Sequence, residues 1–489
     1  MMSYKSIKLE LFLIILLTES SLSLNYSSGG GLEPRHREKS EMKAATSDHS
    51  LTILSQPLIQ FTIDFFSSAR QEQQNVIVSP VSIHSALNLV LLAAKSDSQT
   101  ESELIDALGY QRLGEPVERA HESYAKLISL FKKLKEKSQN VQDTQSECWS
   151  TNDESSQDVG SPLIDFWTMG IAKKIADLQP AYVERVKKFY SSSIELVHDD
   201  VEAENLASKV NKWGSEAGFG KELLSPDDLK KEFTMMLLSA VRVEASWFTQ
   251  FTEHDFDELF FNYGKHDQLV KNRPGLSVDD LHGKYIKFSK TANYQSRWKT
   301  GEYQEMFTRL SQLEFHIIEV PLRGDVSFTI FEPLRSGTGK ELTHLVDQLL
   351  AYDPARNHTN LSEALQMIDT DEASNLIDYL RIPVFKFENE IDLQTPLKSM
   401  GLQRIFDKEY AELTKAANHE LYVDEAKHRA MIEVNKFGVK SAGYTQIRAV
   451  GLTSLLEAKP LRIEVKHPFM FVMRYEKLPL FAGQLVHVL

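Results

Sequence analysis

The sequence predicts an α+β fold on three observations. Apolar residues recur at helical spacing through the first third of the chain, strand-like runs dominate the last third, and no regular β-α-β alternation joins them. This distribution disfavours a doubly wound sheet or an α/β barrel. With 42% hydrophobic and 25% charged residues, the chain can bury a large core beneath a soluble surface.

The elements follow in order. Lys5 and Lys8 precede an apolar run over 11–17, and Ser21 and Ser23 follow it. This is the pattern of an export signal over residues 1–23, too short to span a bilayer, so the mature protein is expected to be secreted and extracellular. Residues 24–50, polar and without an apolar period, read as a flexible extension. A single domain is expected over 51–489. It opens with a helix over 51–66 and a short strand at 75–78, which Ser79-Pro80 ends before a second apolar helix. Further helices are expected near 101–108 and 122–135. The stretch 138–162 turns to Gln, Ser, Asp and Asn and reads as a disordered insertion; it holds Cys148, the one cysteine of the chain, so no intrachain disulfide is available. Strands are expected at 319–321, 328–331, 379–387, 421–423, 430–434, 461–465, 469–475 and 480–486.

A formal net charge of -14 argues against nucleic acid and anionic membranes as partners. The sequence carries no Gly-x-Ser-x-Gly elbow, no His-Glu-x-x-His, no phosphate-binding glycine loop and no paired cysteines, so neither an enzyme nor a cofactor or metal is expected. His84, His428 and His467 each read as hydrogen-bonded core residues. Sequons at Asn25, Asn357 and Asn360 fit export.

Several strings carry a family resemblance. Asn75-Val76-Ile77-Val78-Ser79-Pro80-Val81-Ser82-Ile83, Val210-Asn211-Lys212-Trp213, Ile382-Pro383-Val384-Phe385-Lys386-Phe387, His428-Arg429-Ala430, His467-Pro468-Phe469 and Leu480-Phe481-Ala482-Gly483 occur in the order found in serpins, which the chain therefore resembles from residue 51 to 486. The resemblance implies three β-sheets, eight or nine helices, and an exposed reactive loop between the strand ending at Asn435 and the strand near Leu461. It implies a suicide inhibitor of a serine protease: the protease cuts the loop, which then inserts into the central sheet as a new strand. The alternative is a non-inhibitory member acting as a carrier, chaperone or hormone-like ligand.

Inhibitory members begin the loop with Glu-Glu-Gly-Thr and alanines, whereas this chain reads Lys436-Phe437-Gly438-Val439-Lys440-Ser441-Ala442-Gly443-Tyr444-Thr445. Strand alternation tests whether this loop can still enter a sheet. Counted from Val439, the inward set is Val439, Ser441, Gly443, Thr445, Ile447 and Ala449, all small or apolar. Lys440 and Arg448 point outward, so insertion desolvates no ion and its register is fixed. Val439 itself is expected to be at least partly exposed before insertion. Family spacing from Gly438 puts the scissile bond at Leu452-Thr453, which suits a chymotrypsin-like enzyme; Arg448-Ala449, suiting a trypsin-like one, and Leu455 or Leu456 are alternatives. Ser79, Ser82, Ser239, His428 and Trp247 form the expected cluster controlling sheet opening, with Ser239 able to hydrogen-bond His428. Lys126, Lys132, Lys133, Lys135 and Lys137 fall on the helix where some serpins bind sulfated polysaccharides. A monomer is expected.

Overall fold

Eleven α-helices and two large sheets are built from the described residues. The computed structural model describes residues 49–488 apart from 145–160, 441–459 and short stretches at 174–176, 193, 217–218, 232, 258–259, 263–268, 271–272, 291–297, 299–300, 335–339 and 357. The helices are α1 (His49–Ala69), α2 (Pro80–Ala93), α3 (Gln99–Ala107), α4 (Val117–Thr144), α5 (Pro180–Tyr190), α6 (Asp200–Glu216), α7 (Pro226–Lys230), α8 (Gly301–Leu310), α9 (Lys340–Leu350), α10 (Asn360–Ile368) and α11 (Gln394–Ser399). The count exceeds the eight or nine expected; α7 and α11, a turn or so each, account for the surplus.

The strands of the two sheets are β1 (Val76–Val78), β2 (Leu163–Lys173), β3 (Ile194–Val197), β4 (Met235–Ser246), β5 (Thr252–Phe256), β6 (Arg273–Phe288), β7 (Phe315–Pro321), β8 (Val326–Pro333), β9 (Ser374–Pro383), β10 (Phe385–Asp392), β11 (Val423–Asn435), β12 (Gly438–Lys440), β13 (Arg462–Glu464), β14 (Phe469–Tyr475) and β15 (Leu478–Leu485). One ladder runs β1-β15-β14-β8-β7-β6-β9-β13, with β5 also on β6. The long strand β6 joins two sheets in this ladder: its first residues pair with β5 and its last five, Lys284 to Phe288, with β7. The central sheet has the order β10-β11-β12-β4-β2-β3, completing the three-sheet α+β architecture.

Local sequence explains the central packing. Pro80, whose missing N–H and fixed φ suit a first helical position, opens α2 after Ser79, and all fourteen residues of α2 are buried. A helix apolar nearly all round belongs in the interior, and α2 lies against β2, β4 and β15. On the opposite face of the central sheet, Ala203, Leu206 and Val210 of α6 pack on Met169, Ile171, Met236 and Leu238. Strand β4 is thus covered on both faces, which accounts for its unbroken apolar start, Met235-Met236-Leu237-Leu238.

Three expectations about single elements change. The one strand expected at 379–387 is two, because the chain leaves β9 at Pro383 and enters the central sheet as β10 at Phe385. Helix α4 continues to Thr144, so 138–144 is helical rather than part of a disordered insertion; residues 145–160 lie outside the described set. Without Gly or Pro, these polar residues extend a helix already anchored by Tyr124, Leu127 and Phe131. The strand expected from 421 begins at Val423, because the Tyr422 N–H and C=O are both taken by the Thr234 hydroxyl.

Candidate functional site: the central-sheet seam

The seam between β11 and β4 is the candidate site. Their parallel ladder runs from Val423↔Met235 to His428↔Ser239 and stops at Arg429↔Ala240. Above that point the strands part, and the start of the loop occupies the gap. Chain from Asn435 turns through Lys436 and Phe437 into β12, which runs antiparallel to both neighbours, with Val439 opposite Val434 on one side and Ala245 on the other.

Val439 is therefore only 2% exposed and part of the main core, contrary to the partial exposure expected of it. The reason lies in the neighbours: two diverging strands offer unpaired backbone groups, and a three-residue strand with an apolar middle satisfies them. Gly438 is required by close approach, since a Cβ there would lie 2.1 Å from the Ala245 carbonyl oxygen. Trp247 fastens the turn. Its indole N–H donates to the Asn435 carbonyl at 2.8 Å and its backbone N–H to the Phe437 carbonyl at 3.1 Å. The Asn435 side-chain oxygen accepts from the Phe437 N–H at 3.0 Å.

Lower on the seam, His428 is fully buried. Its Nε2 accepts from the Ser79 N–H at 2.9 Å, so Nδ1 carries the proton and lies 3.0 Å from the Ser239 hydroxyl and 3.2 Å from the Ser239 carbonyl. Burial lowers its pKa to about 3 against the opposing pull of the Ser239 carbonyl, leaving the ring neutral at physiological pH. Ser82 Oγ donates to the Ser79 carbonyl at 3.3 Å, and the Ser79 hydroxyl is buried without a hydrogen-bond partner among the described residues. The structure thus gathers Ser79, Ser82, Ser239 and His428 where β11, β4 and α2 meet. Trp247 belongs instead to the upper end, with the hinge.

A strap missed by sequence reasoning crosses the seam outside. Arg429 Nη1 donates to the carbonyls of Lys221 at 3.0 Å and Glu222 at 2.6 Å, while its Nη2 pairs with Glu390. The Gly220 N–H donates to Glu388 at 3.1 Å. The strap is continuous with α6, where Asn211 accepts from the Leu223 and Leu224 N–H groups and Trp213 stacks on Trp167 of β2. It therefore links the β2–β4 side to the β10–β11 side. The string His428-Arg429-Ala430 contained Arg429, but its carbonyl partners lie over two hundred residues earlier in the sequence.

Downstream, the loop returns through β13, parallel to β9. The buried Glu332 carboxylate accepts from the N–H groups of Lys466 and His467, both at 2.9 Å, and from the His316 ring at 2.6 Å. Burial would raise its pKa, but the hydrogen bonds from His316 and His467 outweigh that and hold it at about 2. His84 is a core residue beside Tyr124 and Leu108, and its pKa is lowered to about 4 by burial.

Of the lysines on α4, Lys126, Lys132, Lys133 and Lys137 are exposed and Lys135 pairs with Asp165 at 2.5 Å. Asn360 opens α10, with its amide donating to the Gln348 carbonyl. Outside the described residues lie Asn25, Asn357, Ser441, Ala442, Gly443, Thr445, Arg448, Ala449, Leu452, Thr453, Leu455 and Leu456. Among the described residues, no group of three His, Cys, Asp or Glu could hold a metal, and no helix is long and apolar enough to cross a membrane.

A seam that already holds β12 between β11 and β4 can take up a strand. Residues 57–488 match the family model Serpin (serine protease inhibitor). The chain is a serpin. It is 23% identical over 454 residues to Serpin B12 of Mus musculus, covering 87% of this chain and 97% of the relative. It is 22% identical over 440 residues to the leukocyte elastase inhibitor of Sus scrofa, covering 88% and 98% respectively. The crystal structure of human thyroxine-binding globulin shares the fold with a TM-score of 0.64 at 15% identity, covering 90% of this serpin and 99% of that chain. Serpins are mostly inhibitors of serine proteases.

Proposed function

We propose that this serpin is a secreted suicide inhibitor of an extracellular serine protease. One observation carries the reading: Gly438–Lys440 already lies as a strand between β11 and β4, so the seam accepts this atypical hinge despite its missing Glu-Glu-Gly-Thr. Extending the pairing of Lys440 with Glu433 sets Ser441, Ala442 and Gly443 opposite Ile432, Met431 and Ala430, and Thr445 opposite His428. Ser441, Ala442 and Gly443 thus suit the section above Arg429, where no ladder joins β11 to β4 among the described residues, whereas Thr445 would have to part the His428–Ser239 pairing. Val439 on the core side puts Lys440 and Arg448 on the other, so the strand can form without burying either charge in the core.

In this reading the protease serine attacks a carbonyl in the loop. An ester forms as the peptide C–N bond breaks and the new amine leaves with a proton. Insertion past the Ser239–His428 pair then distorts the protease before water can release it. The export signal supports extracellular action. Leu452-Thr453 is the bond proposed for a chymotrypsin-like target and Arg448-Ala449 for a trypsin-like one. The test mixes purified protein with one protease of each type: an SDS-resistant complex is expected with at least one. Cleavage of the loop with full recovery of protease activity in both mixtures would instead favour a carrier role.

A further inference from the structure

We infer that Asn435 is a positioning residue for loop insertion: oriented by Glu433, it closes the turn from which the loop enters the central sheet and so fixes the register of entry. This role presupposes that the loop inserts as the inhibitory reading requires. The need for it arises from the turn. Asn435 pairs with Gly438, which leaves Lys436 and Phe437 as a two-residue hairpin loop between β11 and β12. Loops of this length favour Asn-Gly or another pair that reaches positive φ, because those turns match the twist of the flanking strands. Neither Lys436 nor Phe437 has positive φ. The loop therefore does not close on its own chemistry, and contacts from outside it must hold it. Trp247 binds the carbonyls of Asn435 and Phe437. The remaining contact is an Asx turn, in which Asn435 Oδ1 accepts from the Phe437 N–H at 3.0 Å.

An amide can face either way, and Glu433 settles which. Asn435 Nδ2 donates to Glu433 Oε1 at 2.8 Å, and a carboxylate can only accept, so Oδ1 is left for Phe437. The second oxygen of Glu433 is taken by Lys386 of β10 at 2.9 Å. With Lys386 exposed, that pair adds little energy, but it leaves Oε1 for Asn435. Insertion adds pairs beyond Val439↔Val434 one after another, so each later pair inherits the register set at Asn435↔Gly438. A slip of one residue would turn Lys440 towards the core and Val439 away from it. A turn that opens loses this register and slows entry, which gives water more time to release the protease.

The test uses the full chain and two readouts. In the uncut protein, hydrogen exchange follows a peptide spanning 436–440. With whichever of trypsin or chymotrypsin the wild type traps, gel analysis gives the ratio of cleaved protein to SDS-resistant complex. Asn435→Ala should lose protection at 436–440 and raise that ratio about fivefold, the weight of one hydrogen bond. Asn435→Asp should do the same, since its carboxylate faces Glu433. The double variant Asn435→Asp/Glu433→Gln should recover both wild-type values, because an amide at 433 then donates to a carboxylate at 435 and the acceptor for Phe437 is kept. The urea midpoint should stay at the wild-type value in each variant; should Asn435→Ala not fold, Glu433→Ala carries the same expectation. Wild-type protection and ratio in Asn435→Ala, or no recovery in the double variant, would overturn the proposal. A fall in urea midpoint without the two changes would mean a structural role only and would overturn it as well. If the wild type traps neither protease, the inhibitory reading fails, and exchange at 436–440 alone decides whether Asn435 holds the hinge.

Discussion

Val439→Arg asks how firmly the hinge is held, and the structure bounds the answer from both sides. Left in place, the guanidinium would enter the main core between Val434 and Ala245, and an uncompensated buried charge costs about 3–5 kcal/mol. The alternative is withdrawal of β12. That forfeits about 1.5–3 kcal/mol for burial of the valine and about 1 kcal/mol for each ladder hydrogen bond. It regains about 1–2 kcal/mol of backbone entropy for each of the released residues. Losses and gains nearly cancel, so withdrawal is the cheaper response and the variant should fold with the hinge expelled. Hydrogen exchange of a peptide spanning 436–440 should then lose protection, while peptides from β4 and β11 below Ala240 keep theirs. With a cleaving protease, the variant should yield less SDS-resistant complex and more free cleaved protein, because the same arginine must enter first during insertion. Unchanged protection at the hinge together with wild-type complex yield would refute this reasoning.

Three further outcomes follow from the geometry. The neutral burial of His84, His121 and His428 depresses their pKa values to about 4, about 3 and about 3, so the unfolded chain binds more protons than the folded one below the ordinary value of 6.5. Stability should accordingly fall as pH drops from about 6.5 towards 3, and urea midpoints for His428→Gln should show a shallower decline than wild type. Arg474 is 2% exposed and bridges Glu319 at 2.5 Å and Asp369 at 2.8 Å, so Arg474→Ala should cost about 3–5 kcal/mol in chemical denaturation by leaving the buried Glu319 carboxylate with only Lys284, at 3.4 Å, as a charged partner. N-terminal sequencing of the small fragment after limited proteolysis by a trapped protease should begin at Thr453; a fragment beginning at Ala449 would move the target to the trypsin-like class.

Much of this architecture was legible in the sequence because local chemistry and tertiary context agree. Ser79-Pro80 both ends β1 and opens α2, and the apolar run in 469–475 coincides with β14, every residue of which is buried. Strand β4 was harder to read: covered on both faces, it shows no alternation, and a continuous apolar run does not distinguish strand from helix. The polar cluster around His428 could be named because each member stood in a recognisable string. The hinge could not be placed, since whether Val439 is exposed depends on how far β11 and β4 diverge, a property of two strands nearly two hundred residues apart. The Arg429 strap escaped for a related reason. The partners of Arg429 Nη1 in the strap are backbone carbonyls, which carry no side-chain signature.

The nine-stranded ladder has a consequence for the fate of the molecule after any cut between 441 and 459. The chain beyond such a cut includes β14 and β15, and these are interior members of the ladder, hydrogen-bonded on both edges to β8, to each other and to β1. Together they contribute fifteen buried residues to the core, and Glu332 pins the segment that leads into them. A nick in the loop therefore divides the covalent chain without dividing the particle. The C-terminal piece should co-migrate with the remainder through native gel filtration and separate only in denaturant, so size under native conditions reports nothing about whether the loop has been cut.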